Sequence, residues 1–437
     1  MINNDFKKLL ELISEDRLRK STSGPRGILI ASESDKGRVI NSGAFRRLQQ
    51  KAQVFPLEPN ASVRTRLTHS IEVSQVGRHL AQQIIKNQDG NSEGYEKLAA
   101  FVNIVETACL LHDIGNPPFG HLGEAAIKEW FKSEQECIKN MPMDLQNFDG
   151  NPQGFRLMAF LAGADNYGFN LTHSLLLSTV KYPWVLNDRP AAGKKIGLFL
   201  TEHEKYKCAC ANLNWTEGKK FPFMRLMDTA DEIAYSMSDL EDGLDKKIIT
   251  EDDLKREFGE YRFKTETLKP FIAFKTKVIN DAVSLAAKNF SEKLEGILCG
   301  EEFDLIDKES EIGCLLKQVG VLARNKIYSD NHVEQVELAG RSVIKGLLNH
   351  FKTLLVLPEE DFIAIMDDNS SLIKSKNLHF QSRLLRRIPK SYQIKYKNEI
   401  GISEIGRRCH LIVDFISGMT DDFALETYQI LEGIRTK

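Results

Sequence analysis

The sequence predicts an all-α fold. Apolar residues recur at intervals of three and four, which places them along one face of a helix. The segments with this spacing lie around residues 70–86, 95–112, 121–132, 225–240, 250–297 and 332–356. Runs in which apolar and polar residues alternate, the pattern of a half-buried strand, are few. Pro and Gly are concentrated between the periodic segments. We therefore expect helices joined by loops, with at most a marginal sheet.

Clusters rich in Pro and Gly mark the principal loops, at residues 21–27, 115–118 and 189–193. No internal repeat, low-complexity tract or abrupt change in composition indicates a linker between domains. We therefore expect residues 1–437 to form one predominantly helical domain. Its functional core should span about residues 38–243, followed by a C-terminal helical region at about residues 244–437.

Composition indicates a globular protein of the cytoplasm. The 437 residues, of which 42% are hydrophobic, suffice for a large buried core. The net charge of −2 argues against a protein that generally coats nucleic acid, although it permits local basic patches. No stretch has the length of a membrane span, and the N-terminus lacks the apolar core of a signal peptide. The seven Cys are scattered and odd in number, so we expect reduced, mostly buried thiols.

The adjacent pair His112-Asp113 is the most informative short motif. Neutral imidazole and carboxylate both suit Mn, Fe, Zn or Mg. Two neighbouring residues can approach one ion only where a helix ends and the backbone bends. The apolar run 108–111 leads into the pair, and the Gly-Asn-Pro-Pro sequence at 115–118 stops the helix. The motif therefore predicts metal ligands at the C-terminal end of a helix.

His69 and Asp231 are the candidate partners of this pair. Alone, a His near a helix start is usually a surface or capping residue, and an acidic helix is usually structural. Together with the pair, however, they form a compact set of two His and two Asp that leaves positions for water and phosphate oxygens. Asp231, Tyr235 and Asp239 also lie four residues apart, so they share one stripe of a helix that can line a pocket.

His121 and Glu124 follow the metal motif at the start of another predicted helix. Because they are three residues apart, both can face the same side of its first turn. Glu124 alone would be read as favouring the helix N-terminus electrostatically. Proximity to the metal motif instead indicates proton transfer, with an imidazole that donates to a leaving oxygen or orients attacking water.

Several stretches together resemble the bacterial deoxyguanosinetriphosphate triphosphohydrolases, a family of the HD superfamily of metal-dependent phosphohydrolases. They cover most of the chain and keep the order found in the family. These stretches are residues 38–56, 66–70, 112–124, 230–235, 239–243 and 414–421. The resemblance implies an HD-domain helical architecture with a C-terminal helical extension.

The resemblance also implies roles for the matching positions. The metal ligands match His69, His112, Asp113 and Asp231. The catalytic pair matches His121 and Glu124, and the contacts around the phosphates and sugar match Gln53, Arg66, Tyr235 and Asp239. Gln53 is expected to bond the deoxyribose 3′-hydroxyl. Tyr235 is expected to pack against the C2′ edge, which leaves no room for a ribose hydroxyl.

Asn170 and Lys195 lie in stretches similar to substrate-lining segments of the family, and we expect both to bind substrate. The alternatives are a helix cap for Asn170 and a solvated loop cation for Lys195. The sequence departs from the family in two places. Residues 228–232 read Asp-Thr-Ala-Asp-Glu where the family commonly has Glu-Ala-Ala-Asp-Asp, and Ala52 replaces the usual Thr. The second departure removes a hydroxyl near the sugar and leaves base preference open.

By this resemblance, the expected reaction is metal-dependent hydrolysis of dGTP, or of other dNTPs, in which water attacks the α-phosphorus. The products would be a deoxynucleoside and tripolyphosphate. The sequence has no Gly-x-x-x-x-Gly-Lys-Ser/Thr stretch, so P-loop chemistry is unsupported. Two alternatives stay open: an HD-type nuclease or broad nucleotide phosphohydrolase, and a non-catalytic regulator that binds nucleotides or single-stranded DNA.

The implied cofactor is a divalent metal, Mn or Mg first, with Fe, Zn or Ni as further candidates. The implied partners are dGTP or another dNTP and further copies of the chain, since homo-oligomers, commonly hexamers, occur in the family. A basic cluster at Arg383, Arg386, Arg387 and Lys390 suits single-stranded DNA, although a solvated helix face is its commoner meaning. No membrane partner is expected.

Overall fold

A computed structural model describes residues 4–22, 24–88, 94–191, 193–265 and 269–434. The N-terminal helices are α1 (Asn4–Glu11), α2 (Ile28–Ile40), α3 (Gly43–Arg47), α4 (Arg66–Lys86), α5 (Tyr95–Leu111), α6 (Gly120–Ser133), α7 (Gly150–Arg156), α8 (His173–Ser178), α9 (His203–Asn212) and α10 (Pro222–Asp245). The C-terminal helices are α11 (Glu251–Phe258), α12 (Pro270–Glu292), α13 (Leu294–Leu298), α14 (Glu311–Leu322), α15 (Asn331–Leu355), α16 (Glu359–Met366), α17 (Ser370–Ser375), α18 (His379–Leu385), α19 (Lys390–Asn398), α20 (Glu404–Ser417) and α21 (Asp421–Leu431).

The all-α prediction is confirmed. Within the described residues, extended pairing is limited to two isolated bridges, one between Arg17 and Thr172 and one between Ala52 and Thr65. Two π-helical turns, Leu157–Leu161 and Ala323–Tyr328, extend α7 and α14. No helix in the described part of the chain combines the length and apolar character that crossing a membrane requires.

The predicted helical segments agree with the structure except at 250–297, which is not continuous. There α11 ends at Phe258 and is followed by Gly259, whose φ of 89° lies in the left-handed region that favours glycine. A 3₁₀ turn follows, and α12 then begins at Pro270, whose fixed φ suits a first helical position. The helix is therefore interrupted between Gly259 and Pro270, although the apolar spacing predicted one continuous helix. Residue 23 in the first predicted loop and residue 192 in the third lie outside the described residues.

The cysteines are free in the structure, as expected. The expectation that most are buried is wrong, because Cys137, Cys208, Cys299 and Cys314 are exposed. Apolar spacing did not decide the exposure of the cysteines. Cys109, for example, is buried because α5 is enclosed on almost every side between Ala100 and Leu111.

Two hydrophobic clusters form the core. The first is built mainly on α4, α5, α10 and α12, and the second on α6, α15 and α20. The first continues to Val333, past residue 243, whereas the second takes α6 from the N-terminal half. The single domain with a division near residue 243 stays a prediction. The clusters matter for the site because the His112-Asp113 loop leads from α5 in the first cluster to α6 in the second.

Gly115 fixes the path of this loop. A Cβ at residue 115 would lie 2.1 Å from the Gly154 backbone nitrogen and 2.2 Å from the Gly150 carbonyl oxygen. Backbone atoms cannot give way as a flexible side chain can, so only glycine allows α7 to pack this closely.

We expect Gly115→Ala to lower the free energy of unfolding by about 1–3 kcal/mol, the usual cost of overpacking. Urea denaturation would measure the change. Gly37→Ala is the matched control, because a Cβ in α2 at Gly37 meets nothing within 4 Å. It should stabilise by roughly 0.5–1 kcal/mol. Equal stability of wild type and Gly115→Ala would contradict the close approach of α7.

Candidate active site

Three side chains from three separate segments converge on a candidate metal centre. His69 lies in the first turns of α4, His112 is the C-cap of α5, and Asp231 lies on α10. Their ligand atoms all lie within 4.8 Å of one another. Asp231 Oδ1 is 3.2 Å from His69 Nε2 and 3.5 Å from His112 Nε2. Two imidazole nitrogens and a carboxylate oxygen at this spacing fit a divalent transition-metal ion.

The fold orients His112 for this task. Its Nδ1 lies 2.8 Å from the carbonyl oxygen of Cys109 in the last turn of α5. Because a carbonyl only accepts hydrogen bonds, Nδ1 must carry the proton, and the lone pair of Nε2 is left for a metal. The expected end of the helix at the His-Asp pair is thus confirmed, since α5 ends at Leu111.

Asp113 lies beside the three ligands and is held by other groups. Its Oδ2 is 3.6 Å from His112 Nε2 and is ion-paired with Arg66, the first residue of α4. Asn116 donates to its Oδ1 over 2.7 Å. Burial alone would raise the pKa of Asp113, but Arg66 and the two histidines hold it well below its usual range. Asp113 is therefore an anion that links the metal ligands to Arg66.

Asp231 is also kept ionised. Burial would raise its pKa, and the neighbouring His112 and His69 outweigh this effect and lower it. This candidate ligand is therefore a carboxylate anion at neutral pH, as binding a cation requires.

His121 and Glu124 form a hydrogen-bonded pair at the start of α6. His121 Nδ1 lies 3.0 Å from Glu124 Oε2, and Glu124 Oε1 accepts a 2.8 Å bond from the Gly150 backbone. Glu124 is buried, whereas the His121 side chain is 83% exposed. The hydrogen bond to Glu124 raises the pKa of His121. The buried carboxylate thus fixes an imidazole whose other nitrogen, Nε2, is free to exchange protons.

One cavity of about 410 Å³ contains most of these groups, a volume suited to a small-molecule ligand. Of the predicted residues, it is lined by Gln53, Arg66, His112, Asp113, His121, Glu124, Lys195, Asp231 and Tyr235. Further lining residues, for which the sequence analysis predicted no role in the site, are Val54, Asn116, Asn151, Lys181, Tyr182, Met227, Asp228, Tyr328 and Glu337.

The cavity carries more positive groups than the sequence suggested. Lys195 pairs with Asp149 over 2.7 Å, which raises the pKa of Lys195 against the effect of its partial burial. Lys181 pairs with Asp228, one of the positions where the sequence departs from the family. Lys181 stands alone in a loop with no periodic or metal-type spacing around it, so no sequence signal identified it.

Tyr328 reaches the cavity from the end of the second π-helical turn. Its hydroxyl contacts the Tyr235 hydroxyl and donates to Asp239. Burial raises the pKa of Asp239 to about 7 and that of Tyr235 to about 12. Asp239 itself is buried behind the two tyrosines and does not line the cavity. The predicted stripe of Asp231, Tyr235 and Asp239 therefore reaches the cavity only in part.

The structure places Asn170 away from this cavity. Its side-chain amide exchanges hydrogen bonds of 2.9 and 3.0 Å with the backbone of Arg19, and its φ is 49°. Its carbonyl accepts from Arg17 and Arg38, and it lines a second cavity of about 760 Å³. Asn170 therefore stabilises a left-handed turn, a conformation that Asn adopts more readily than most residues.

Comparison with known proteins agrees with this geometry. The model of the HD domain family matches residues 66–143, which contain His69, the His112-Asp113 pair, His121 and Glu124. The deoxyguanosinetriphosphate triphosphohydrolase of Enterobacter sp. (strain 638) is 33% identical, with 98% of this chain and 99% of that protein covered. That of Klebsiella pneumoniae (strain 342) is 33% identical, with 99% and 100% covered. The chain is therefore a metal-dependent phosphohydrolase of the HD superfamily and belongs to its deoxyguanosinetriphosphate triphosphohydrolase family.

Proposed function

We propose that this protein hydrolyses dGTP to deoxyguanosine and tripolyphosphate with Mn²⁺ or Mg²⁺. The observation that carries the proposal is the convergence, in one cavity, of two candidate metal ligands (His112 and Asp231), the His121–Glu124 pair and three cationic side chains, Arg66, Lys181 and Lys195. The third candidate ligand, His69, is buried next to them. Metal ligands and cations together suit a polyphosphate, and a positioned imidazole suits proton transfer to or from oxygen. The relatives named for dGTP hydrolysis support this substrate.

His69, His112 and Asp231 would hold the ion, with Asp113 beside them. When bound, a divalent ion polarises a phosphate oxygen and offsets the charge that develops in hydrolysis. The charge of the triphosphate is neutralised, and the triphosphate is oriented, by three cations: Arg66, Lys181 and Lys195. His121, fixed at Nδ1 by Glu124, exchanges a proton through Nε2 with the 5′ oxygen or with the attacking water.

Gln53 and Tyr235 would select the deoxyribose. Gln53 lines the cavity, and its buried Oε1 has no hydrogen-bond partner among the described residues. A buried acceptor without a partner is costly, so it suits a ligand hydroxyl such as the 3′-hydroxyl of a sugar. Tyr235 is held by Tyr328 and would pack against C2′, where a ribose carries its extra hydroxyl.

The experiment that tests the proposal is product analysis with each of the four dNTPs and with GTP, in Mn²⁺ or Mg²⁺. Deoxyguanosine and tripolyphosphate as products of dGTP support the proposal. Nucleoside monophosphate and pyrophosphate would indicate a different nucleotide phosphohydrolase. Binding of dGTP without any product would indicate a regulator.

We expect Gln53→Ala and Tyr235→Ala to lower the ratio of kcat/KM for dGTP to that for GTP by roughly 10-fold, the usual effect of losing one polar contact or a tight fit. The metal content of both variants should equal that of wild type, because neither residue is a ligand. Gln83→Ala is a matched control, since Gln83 lies away from the cavity on α4. An unchanged ratio in both variants would place the sugar elsewhere.

Three further parts of the proposal follow from the family and the sequence. The protein would assemble into a homo-oligomer, with the hexamer as the form to test first, and would act in the cytoplasm. Single-stranded DNA would contact the basic cluster at 383–390, where Arg383, Arg386, Arg387 and Lys390 are all exposed. Arg386 is paired with Asp368, which reduces its charge available for phosphates.

A further inference from the structure

The stretch 414–421, near the C-terminal end of the chain, contacts the backbone of the active site. Asp421 is the first residue of α21 and is only 3% exposed. Its Oδ1 accepts a 3.0 Å hydrogen bond from the Phe119 backbone, and its Oδ2 accepts a 2.9 Å bond from the Ala52 backbone. One carboxylate thus joins two segments that are distant in sequence. Phe119 comes two residues before His121, and Ala52 comes immediately before Gln53.

Lys51 strengthens the same junction. Its ammonium group is buried and donates to the carbonyl oxygens of Asn116, over 2.5 Å, and Ser417, over 2.7 Å. Asn116 is the residue that bonds Asp113 beside the metal ligands. Through Lys51, the segment that carries Gln53 is therefore hydrogen-bonded both to the His112-Asp113 loop and to the end of α20.

The bond to Phe119 matters because the backbone there is strained. Phe119 has φ 61°, a left-handed conformation that is unfavourable for a non-glycine residue. Its ring is buried against Gly340 of α15, where an added Cβ would come within 2.4 Å of Phe119 Cγ. Asp421 holds the backbone nitrogen and α15 holds the ring. Together they set the direction in which α6 starts, and hence the position of His121.

The hydrogen bond from the Ala52 backbone holds the segment that carries Gln53, the proposed sugar contact. Ala52 forms the isolated bridge to Thr65, and Arg66 donates from its backbone to the Lys51 carbonyl over 2.9 Å. This short pairing places Gln53 next to the start of α4, which carries Arg66. Asp421 fixes the opposite side of the same segment. The amide oxygen of Gln53, which has no hydrogen-bond partner in the described part of the chain, therefore projects from a backbone that is held on two sides.

We infer that Asp421 is a positioning residue that fixes the distance between Gln53 and His121, and so aligns the sugar with the proton-transfer group. The inference rests on the proposed function for the roles of these two residues. A carboxylate is needed because two N–H groups point at it. An asparagine side chain offers one acceptor oxygen and would turn its NH₂ toward the other N–H.

The test compares Asp421→Asn with Asp422→Asn. Asp422 is the exposed neighbour in the same first turn, so its replacement removes the same charge from the N-terminus of α21 without touching the site. We expect Asp421→Asn to retain full metal content and to lose at least about 10-fold in kcat for dGTP, since a displacement of about 1 Å at a reacting group can cost 10²-fold. Asp422→Asn should behave as wild type. Equal rates for Asp421→Asn and wild type would overturn the inference.

A double-mutant cycle separates positioning from a general loss of structure. In a His121→Ala background there is no imidazole to misplace, so Asp421→Asn should lower kcat by less than about 2-fold. An undiminished loss in that background would overturn a positioning role. Asp421→Glu, which keeps both acceptors on a longer arm, should fall between wild type and Asp421→Asn, and it serves if the Asn variant does not fold.

Amide hydrogen exchange gives a readout that does not depend on activity. In Asp421→Asn, the amides of Ala52 and Phe119 should exchange faster than in wild type, while those in the middle of α5 should be unchanged. Unchanged protection at both amides would overturn the inference even if dGTP is the substrate. Conversely, faster exchange in a protein that does not hydrolyse dGTP would retain the junction and overturn only the proposed function.

Discussion

Replacing His112 with alanine is expected to remove the bound metal and to lower the turnover of dGTP by at least about 10³-fold. The loss is large because the ion supplies several kcal/mol of transition-state stabilisation. The side chain of His112 provides one of the three clustered candidate ligand atoms, and its bond to Cys109 leaves the lone pair of Nε2 facing Asp231 Oδ1 at 3.5 Å. Asp231→Ala should have the same effect, because Asp231 Oδ1 lies within 3.5 Å of both histidines.

The fold should survive these changes. The two hydrophobic clusters are built from apolar side chains and do not include the ligands. Metal content by elemental analysis, turnover, and far-UV circular dichroism would be measured together. His79→Ala is the matched control, since His79 lies on α4 with His69 but outside the ligand cluster. Full metal occupancy and activity in His112→Ala and Asp231→Ala would refute the ligand assignment.

Replacing His121 with alanine is expected to slow hydrolysis by roughly 10²- to 10⁴-fold while the metal stays bound, the usual range for loss of a positioned proton-transfer group. His121 is not part of the cluster of candidate ligands, so its loss should leave the ion bound. Glu124→Gln should do less damage, because it weakens the orientation of the imidazole without removing it. Single-turnover release of tripolyphosphate at matched Mn²⁺ occupancy would measure both effects.

The pH dependence of Glu124→Gln gives an independent check on this pair. Glu124 raises the pKa of His121, so its neutralisation should lower that pKa. If His121 acts as an acid, the fall in rate at high pH begins earlier; if it acts as a base, the rise in rate also begins at lower pH. In both cases the limb of the pH–rate profile governed by His121 moves to lower pH. Near-normal rates in His121→Ala, or a limb that does not move, would remove His121 from the chemistry.

Local patterns predicted the parts of this protein that depend on neighbouring residues in one helix. The apolar spacing gave the fold class, since burial of one helix face requires that period. The Gly-Asn-Pro-Pro sequence correctly placed the end of α5 after Leu111. The three-residue interval between His121 and Glu124 correctly put them in contact, because that interval is about one helical turn. At 250–297, by contrast, the apolar period continued through residues that end and restart helices.

Resemblance supplied what local patterns could not, namely which distant residues belong together. His69 and Asp231 are 162 residues apart in sequence, yet His69 Nε2 lies 3.2 Å from Asp231 Oδ1. No periodicity predicts such a contact, because it depends on how α4, α5 and α10 pack. The resemblance also suggested Asn170 as a substrate-binding residue, but the structure places Asn170 at the second cavity and not at the one that holds the candidate metal ligands.

The sequence by itself determined the helical class, the helix end at His112-Asp113 and the family to which the chain belongs. Only the tertiary structure decided that Asp113 pairs with Arg66, that Tyr328 supports Tyr235, and that Asp421 bonds to Phe119 across 302 residues. The physical reason is the sequence separation of the residues that interact. Helix formation and capping depend on residues within one or two turns, whereas these contacts exist only after two hydrophobic clusters have packed and brought buried polar groups to the one place where each can be hydrogen-bonded.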